Sequence, residues 1–395
     1  MSRRKLIIAG LVASVALATS GCSPSQVEPL SLDAGEGSAE PYLSVSPDGD
    51  VFLSYLIPVG DETALRFHTM TENGWSEAKT IVQGPDLLVN WADFPSVLPL
   101  SDRVLAAHWL TRSEGAAYAY DAKVATSKDA GASWSEPKNI HSDTSLVEHG
   151  FVSLFPNAEG FAAIWLDGRR FAEESVEGAS TQLFARAISM DGELGPETVV
   201  DNKVCDCCQT DIAVTDRGAI AAYRNRTDQE IRDIYVARYE EGSWSREVNV
   251  ARDNWEITGC PVNGPAVAAS GNNVVVAWFT ASPKKRVRSA TSNDGGKSFS
   301  APVDVASRYP IGRVDTIVGD DGSALVSWVE GNEGALMVRG ISGSGELGPI
   351  VKVTRMATHR DAGFPKMVRF RDRVIVAWTD TSDDLSSVRT ASVSL

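Results

Sequence analysis

Seven times along the chain a short apolar run ends in an aromatic residue. The runs read VFLSY, VLAAHW, GFAAIW, AIAAY, VVVAW, ALVSW and VIVAW, and they close at Tyr55, Trp109, Trp165, Tyr223, Trp278, Trp328 and Trp378. Successive closing residues lie 54, 56, 58, 55, 50 and 50 positions apart. The order around each run repeats: a segment with Pro or Gly, an alternating stretch, a polar turn, the aromatic-ended run, a variable loop, a third stretch, a tight turn and a last short stretch. The second repeat shows it whole, as DFPSVLPL, SDR, VLAAHW, LTRSEGAA, YAYDAKVATS, KDAGAS and WSEPKNI. Alternation with period two, broken by Gly, Asp and Asn clusters, predicts strands joined by turns. Four short strands per repeat of this length predict an all-β fold, a β-propeller. Seven four-stranded blades are expected, with six as the alternative count. The last repeat stops after a third strand, SVRTASVSL. Segment 27–32 (VEPLSL) is predicted to add the missing strand, so that both termini close the ring and leave no open edge.

The chain begins MSRRKLIIAGLVASVALATSGC. A basic start, an apolar run from Leu6 to Ala18 and small residues before Cys22 predict an export signal rather than a membrane-spanning helix. Thr19-Ser20-Gly21-Cys22 resembles a bacterial lipobox, although Thr19 stands where an aliphatic residue is usual. The resemblance implies cleavage after residue 21 and lipidation of Cys22, with outer-membrane sorting in a Gram-negative cell. The expected organisation is a signal peptide (1–21), a lipidated cysteine and tether (22–38) and the propeller (39–395). A net charge of −15 argues against nucleic acid and anionic membrane surfaces as partners. Contact with a membrane is expected only through the lipid, and a monomer is expected.

Two tight turns share a second pattern. Ser127, Asp129, Gly131 and Trp134 fit S-x-D-x-G-x-x-W, and Ser292, Asp294, Gly296 and Phe299 fit it with Phe in the last place. These turns resemble the Asp-box, or bacterial neuraminidase repeat, of sialidase-like propellers. Asp can accept turn N–H groups and Gly can take a positive φ, so Asp129 and Asp294 are read as structural. The resemblance implies a glycan-related scaffold, usually of six blades. It also implies three arginines on a substrate carboxylate, a Tyr–Glu nucleophile pair and an Asp acid/base. The family's early Arg-Ile-Pro motif is missing from the first repeat, where AEPYLSVSP stands.

In an up-and-down blade, the links between blades and the loops between second and third strands share one face. Trp91, Asp93, His149, Arg313, Arg360 and Asp361 fall on predicted links, and Arg169 and Arg224 on predicted loops. They form a candidate ligand-binding rim. Arg224, Arg313 and Arg360 are candidate carboxylate-binding arginines, with Tyr309 and Asp93 or Asp361 as loose companions. Each Arg or Asp at a blade start has a competing structural role in bonding neighbouring blades. His68, His108 and His141 receive no functional role.

Cys205, Cys207, Cys208 and Cys260 fall on two consecutive links and are expected to converge. An exported chain with four such cysteines suggests disulfides, for instance Cys205–Cys260 beside Cys207–Cys208. The alternative is a thiolate site for copper or zinc, with His149 or His359 as further ligands. Three functions compete. The first is a non-catalytic binding propeller for a glycan or an envelope protein. The second is an exo-sialidase-like glycoside hydrolase. The third is a copper- or zinc-binding or redox protein of the envelope.

Overall fold

A computed structural model describes residues 27–113, 115, 119–172 and 179–394. The expected signal peptide and Cys22 lie outside the described residues. Seven antiparallel sheets surround one axis. Their inner strands are Ala39–Val45, Ser96–Pro99, His149–Asn157, Asp211–Thr215, Ala266–Ser270, Pro310–Val318 and Lys366–Phe370. Each sheet runs outward through four strand positions; in blades one and four the outermost strand is split in two. The count is seven, not the alternative six. Blade seven is completed by the N-terminal strand Val27–Leu30, which pairs antiparallel with Ser387–Val393 in the register Val27↔Val393 to Leu30↔Thr390.

The repeated aromatics explain why the sheets pack. Tyr55, Trp109, Trp165, Tyr223, Trp278, Trp328 and Trp378 are all buried. Seven apolar clusters fill the seven seams between neighbouring blades, and each draws residues from both flanking sheets. Such large aromatic bodies suit a wedge-shaped seam. Several polar tips find partners: Trp165 donates to Asp167, Trp278 to Asp253 and Tyr223 to Asp201, whereas the Trp378 indole N–H has none among the described residues.

Polar side chains tie each inner strand to the next. Ser44 donates to the Val97 carbonyl, and Ser153 pairs with Thr210 at 2.8 Å. Asp211 accepts from the Val267 N–H, and Asp315 from the Met367 N–H. Three inner strands shift register near their first residues, and left-handed residues stand at these shifts: Glu40, Phe151 and Arg313. A bulge re-aims a side chain, here around the mouth of the ring.

The two S-x-D-x-G turns lie on the opposite face from the links. Asp129 accepts from the Ser133 N–H (2.9 Å) and hydroxyl (2.6 Å), while Ser127 accepts from the Gly131 N–H. Asp294 repeats this with Ser298, and Ser292 with Gly296. Gly131 has φ +81°, and a Cβ there would stand 2.5 Å from the Phe67 ring. Gly131→Ala is therefore expected to cost about 1–3 kcal/mol in equilibrium unfolding, from backbone conformation together with the clash. Removing the chain through Leu30 should lower the melting temperature by several degrees and promote aggregation, because the edge of Ser387–Val393 loses its partner.

Candidate functional site

The link between blades three and four carries Cys205, Cys207 and Cys208; the next link carries Cys260. Local hydrogen bonds bring the two links together. Cys205 N–H donates to the Arg224 carbonyl, and Gln209 spans from the Ala92 carbonyl (2.7 Å) to the Gly264 N–H (2.9 Å). Cys207 and Cys260 form a disulfide with Cα atoms 6.2 Å apart, inside the usual range. The illustrative pairing Cys205–Cys260 with Cys207–Cys208 is thus replaced: adjacent Cys207 and Cys208 take different partners. Cys205 and Cys208 are free and buried, with sulfurs 2.8 Å apart. Cys205 Sγ also lies 3.6 Å, and Cys208 Sγ 3.8 Å, from Cys260 Sγ.

Charge around these sulfurs is uneven. Burial opposes ionisation of Cys205, but the Cys208 thiol, Arg224 and Arg232 outweigh it and bring Cys205 down to about 7. Arg232 donates to its sulfur at 3.4 Å. Burial, together with the neighbouring Cys205, raises Cys208 well above the ordinary thiol range. The pair therefore reads as a thiolate at Cys205 with Cys208 donating to it. The centre can do two things. Attack by the Cys205 thiolate on Cys260 would form Cys205–Cys260 and release Cys207 as thiolate, moving the disulfide without net oxidation. Alternatively, Cys205, Cys208 and Cys260 have the proximity of a metal-ligand set.

The arginines expected to clamp a carboxylate do otherwise. Arg224 is buried and donates to the carbonyls of Arg232 (2.6 Å), Asn263 (2.8 Å) and Phe279 (2.8 Å), with its guanidinium over Trp255. Arg313, also buried, donates to the carbonyls of Thr358, His359 and Gly363, beneath Trp91 and Phe364. Both staple one blade to the next link. Arg169 holds Asp167 through two hydrogen bonds and Glu197 through a third. Arg360 and Asp361 are exposed, Trp91 is half-buried, and Asp93 is buried against the Tyr120 hydroxyl. Tyr309 is exposed on the link before blade six.

At the axis, Lys366 approaches the rings of Phe94 (4.8 Å) and Tyr42 (5.3 Å). Burial raises Asp315 to about 6, with Lys366 opposing the shift. Glu40 is buried at φ 57°, and its Oε2 has no hydrogen-bond partner among the described residues. Burial pushes its carboxyl up to about 8, partly offset by Arg313 and reinforced by Asp361.

A second cluster stands at the seam of blades two and three. His149 is not beside the cysteines, as a shared metal site would need, but packs on His141. The two rings stack with centroids 3.7 Å apart and 5° between planes. Asp121, Asp143 and Asp167 surround them. Burial, with His149 alongside, lowers His141 to about 4. His141 therefore belongs to a polar cluster that sequence reasoning missed. His359 is exposed and pairs with Thr381 and Asp361. His68 is satisfied inside its blade by Tyr55 and the Ser76 carbonyl, whereas His108 is held by Ser96 through Nδ1 and its buried Nε2 has no partner among the described residues.

No protein-family model and no curated protein matches the chain. Solved structures do. The BP39L lectin from Burkholderia pseudomallei superposes with a TM-score of 0.61 at 12% identity, over 90% of this chain and 96% of that one. A protein of unknown function from Dyadobacter fermentans gives 0.53 at 14% identity, over 94% and 99%. The α-L-arabinofuranosidase Arb93A of Fusarium graminearum gives 0.52 at 12% identity, over 93% and 98%. The fold thus defines a β-propeller of the kind found among carbohydrate-binding and carbohydrate-acting proteins. At these identities the likeness shows the fold alone and singles out no one family, sialidases included.

Two outcomes follow from this geometry. Arg224→Ala orphans three buried carbonyls and should destabilise the fold by about 3 kcal/mol or more in denaturant unfolding. Glu40 keeps its proton in the folded chain up to about pH 8, against 4.5 ordinarily. Between those values the folded state binds more protons than the unfolded state, so stability falls as pH rises through the window. Glu40→Gln should match the wild type near pH 4.5 and exceed it at pH 8 and above, by several kcal/mol at roughly 1.4 kcal/mol per pH unit, in unfolding measured across pH.

Proposed function

We propose that this chain is an exported, lipid-anchored propeller that binds its ligand without turning it over. Its ligand is a thiophilic metal ion, copper or zinc, taken at the cysteine centre. The carrying observation is the convergence of four sulfurs from two links, two of them reduced, beside two buried arginines. A thiolate at Cys205 near neutral pH supplies the form that binds metal. Soft sulfur donors favour Cu(I) and Zn(II) over oxygen-seeking cations. Reduction of Cys207–Cys260 would enlarge the donor set from two sulfurs to four, so the centre couples capacity to redox state.

The rim arginines support binding over hydrolysis. Arg224 and Arg313 spend their donors on backbone carbonyls, and a sialic-acid carboxylate would have to displace them. A glycan is the second reading. Half-buried Trp91, with the Arg360 guanidinium 5.7 Å from its ring, offers a sugar-stacking surface at the mouth of the ring.

The test is competition of the purified full chain carrying Cys22→Ser against a chromogenic Cu(I) chelator, with and without a thiol reductant. One equivalent should bind, and Cys205→Ser or Cys208→Ser should weaken binding about 100-fold or more. Alkylation after denaturation should modify two cysteines without reductant and four with it. Failure to compete, with glycan binding lost in Trp91→Ala, would replace the first reading by the second. Release of sialic acid by the same protein would overturn both.

A further inference from the structure

The four cysteines differ in how far they reach solvent. Cys205 and Cys208 are 1% and 2% exposed, whereas Cys207 and Cys260, which carry the disulfide, are half-buried. The reduced pair thus sits inside and the oxidised pair nearer to solvent. Both reduced sulfurs approach one sulfur of that bond. Cys260 Sγ lies 3.6 Å from Cys205 Sγ and 3.8 Å from Cys208 Sγ. The reduced sulfurs are themselves 2.8 Å apart. They stand at the two ends of Cys205-Asp206-Cys207-Cys208, a C-x-x-C spacing. That spacing lets one thiol attack while its neighbour resolves the product.

Charge favours Cys205 as the attacking atom. Arg232 donates to its sulfur at 3.4 Å, and Arg224 adds a second positive charge nearby. The thiolate is the nucleophile in disulfide exchange. In the first step the Cys205 thiolate attacks Cys260 Sγ. The Cys205–Cys260 bond forms, Cys207–Cys260 breaks, and Cys207 leaves as thiolate. Cys208 is kept protonated by burial and by the neighbouring Cys205. The charge on Cys205 disappears once it enters a disulfide, while Arg224 still favours ionisation of Cys208. In the second step the Cys208 proton passes through solvent to the Cys207 thiolate, and Cys208 attacks Cys205 Sγ. The Cys205–Cys208 bond forms and Cys260 leaves as thiolate. Two electrons have moved from the inner pair to the outer pair. One thiol and one thiolate stand free at the start and at the end.

We infer that the four cysteines form a two-electron dithiol–disulfide relay. Cys205 is its nucleophile, Cys208 its resolving thiol, and Cys207 with Cys260 the outer pair that exchanges with a low-molecular-weight disulfide. The outer dithiol reduces that disulfide to two thiols and returns to Cys207–Cys260, leaving the inner pair oxidised. A low-molecular-weight thiol recharges the chain by reducing the outer bond, and the same steps in reverse carry the electrons inward. Burial shields the inner pair from direct oxidation, so electrons leave only through the outer one. The relay goes beyond the metal reading and needs no metal; an ion held by Cys205 and Cys208 would block its first step.

The test uses the full chain carrying Cys22→Ser, stripped of metal by a chelator. The folded protein is held at pH 8 with iodoacetamide, and peptide mass spectrometry then locates the labels and the disulfides. Labels on Cys207 and Cys260 with a Cys205–Cys208 bond are expected, since only the outer pair meets the reagent. The labelling rate should rise with pH through about 7, where Cys205 ionises. In Cys208→Ser the relay should stop after one step, with Cys205 bonded to Cys260 and Cys207 labelled. Glutathione disulfide in place of iodoacetamide should then leave glutathione on Cys207 of that variant. In Cys205→Ser labelling should be lost and Cys207–Cys260 retained, with circular dichroism confirming the fold. Labels confined to Cys205 and Cys208, or an unlabelled wild type that keeps Cys207–Cys260, overturn the inference. So does labelling of the outer pair that Cys205→Ser leaves unchanged. Copper competition reads the other function separately: a chain that binds Cu(I) yet keeps Cys207–Cys260 through the labelling loses the relay alone. A chain that is labelled as expected but fails to compete for Cu(I) keeps the relay and loses the metal reading.

Discussion

Closure of the ring is the constraint on which everything else depends. Seven twisted sheets set radially would expose an inner and an outer edge each, and would slide along apolar seams. The N-terminal strand removes the weakest point by pairing with the last strand of the chain, over Val27↔Val393 to Leu30↔Thr390. Around the inner wall, side chains reach from one blade to the next at about one repeat: Ser44 to Val97, Asp211 to Val267, Asp315 to Met367. Seam packing supplies the non-directional attraction, and these ties fix register.

Most of the polarity on the link face serves that closure. Arg224 and Arg313 look like ligand-binding groups in sequence, because guanidinium forks fit carboxylates. In the fold they satisfy backbone carbonyls, most of them on loops and links rather than strands. What stays chemically available is what closure does not consume. Among the described residues that remainder includes two buried thiols, the Glu40 carboxyl and the unpartnered ring nitrogens of His108, His141 and His149.

This economy frames the functional reading. Lectins and glycosidases share the scaffold, yet four cysteine sulfurs held between two consecutive links give this chain a candidate centre of a different chemistry.

The sequence by itself determined the architecture. Seven aromatic-ended runs at nearly constant spacing can bury their rings only between radially arranged sheets, and the missing last strand pointed to VEPLSL. It also brought the cysteines to neighbouring links, because links follow from the repeat. The partners were decided only in three dimensions. Chain order did not reveal that Cys207, rather than its neighbour Cys208, faces Cys260. His141 carried no signal, since its polar company, Asp121 and His149, comes from two blades, and a lone histidine after a short strand resembles any other. The arginines show the same limit in reverse. Residue type announces what a group can bind, but whether a carbonyl or a ligand occupies it depends on which backbone the closed ring leaves unsatisfied nearby.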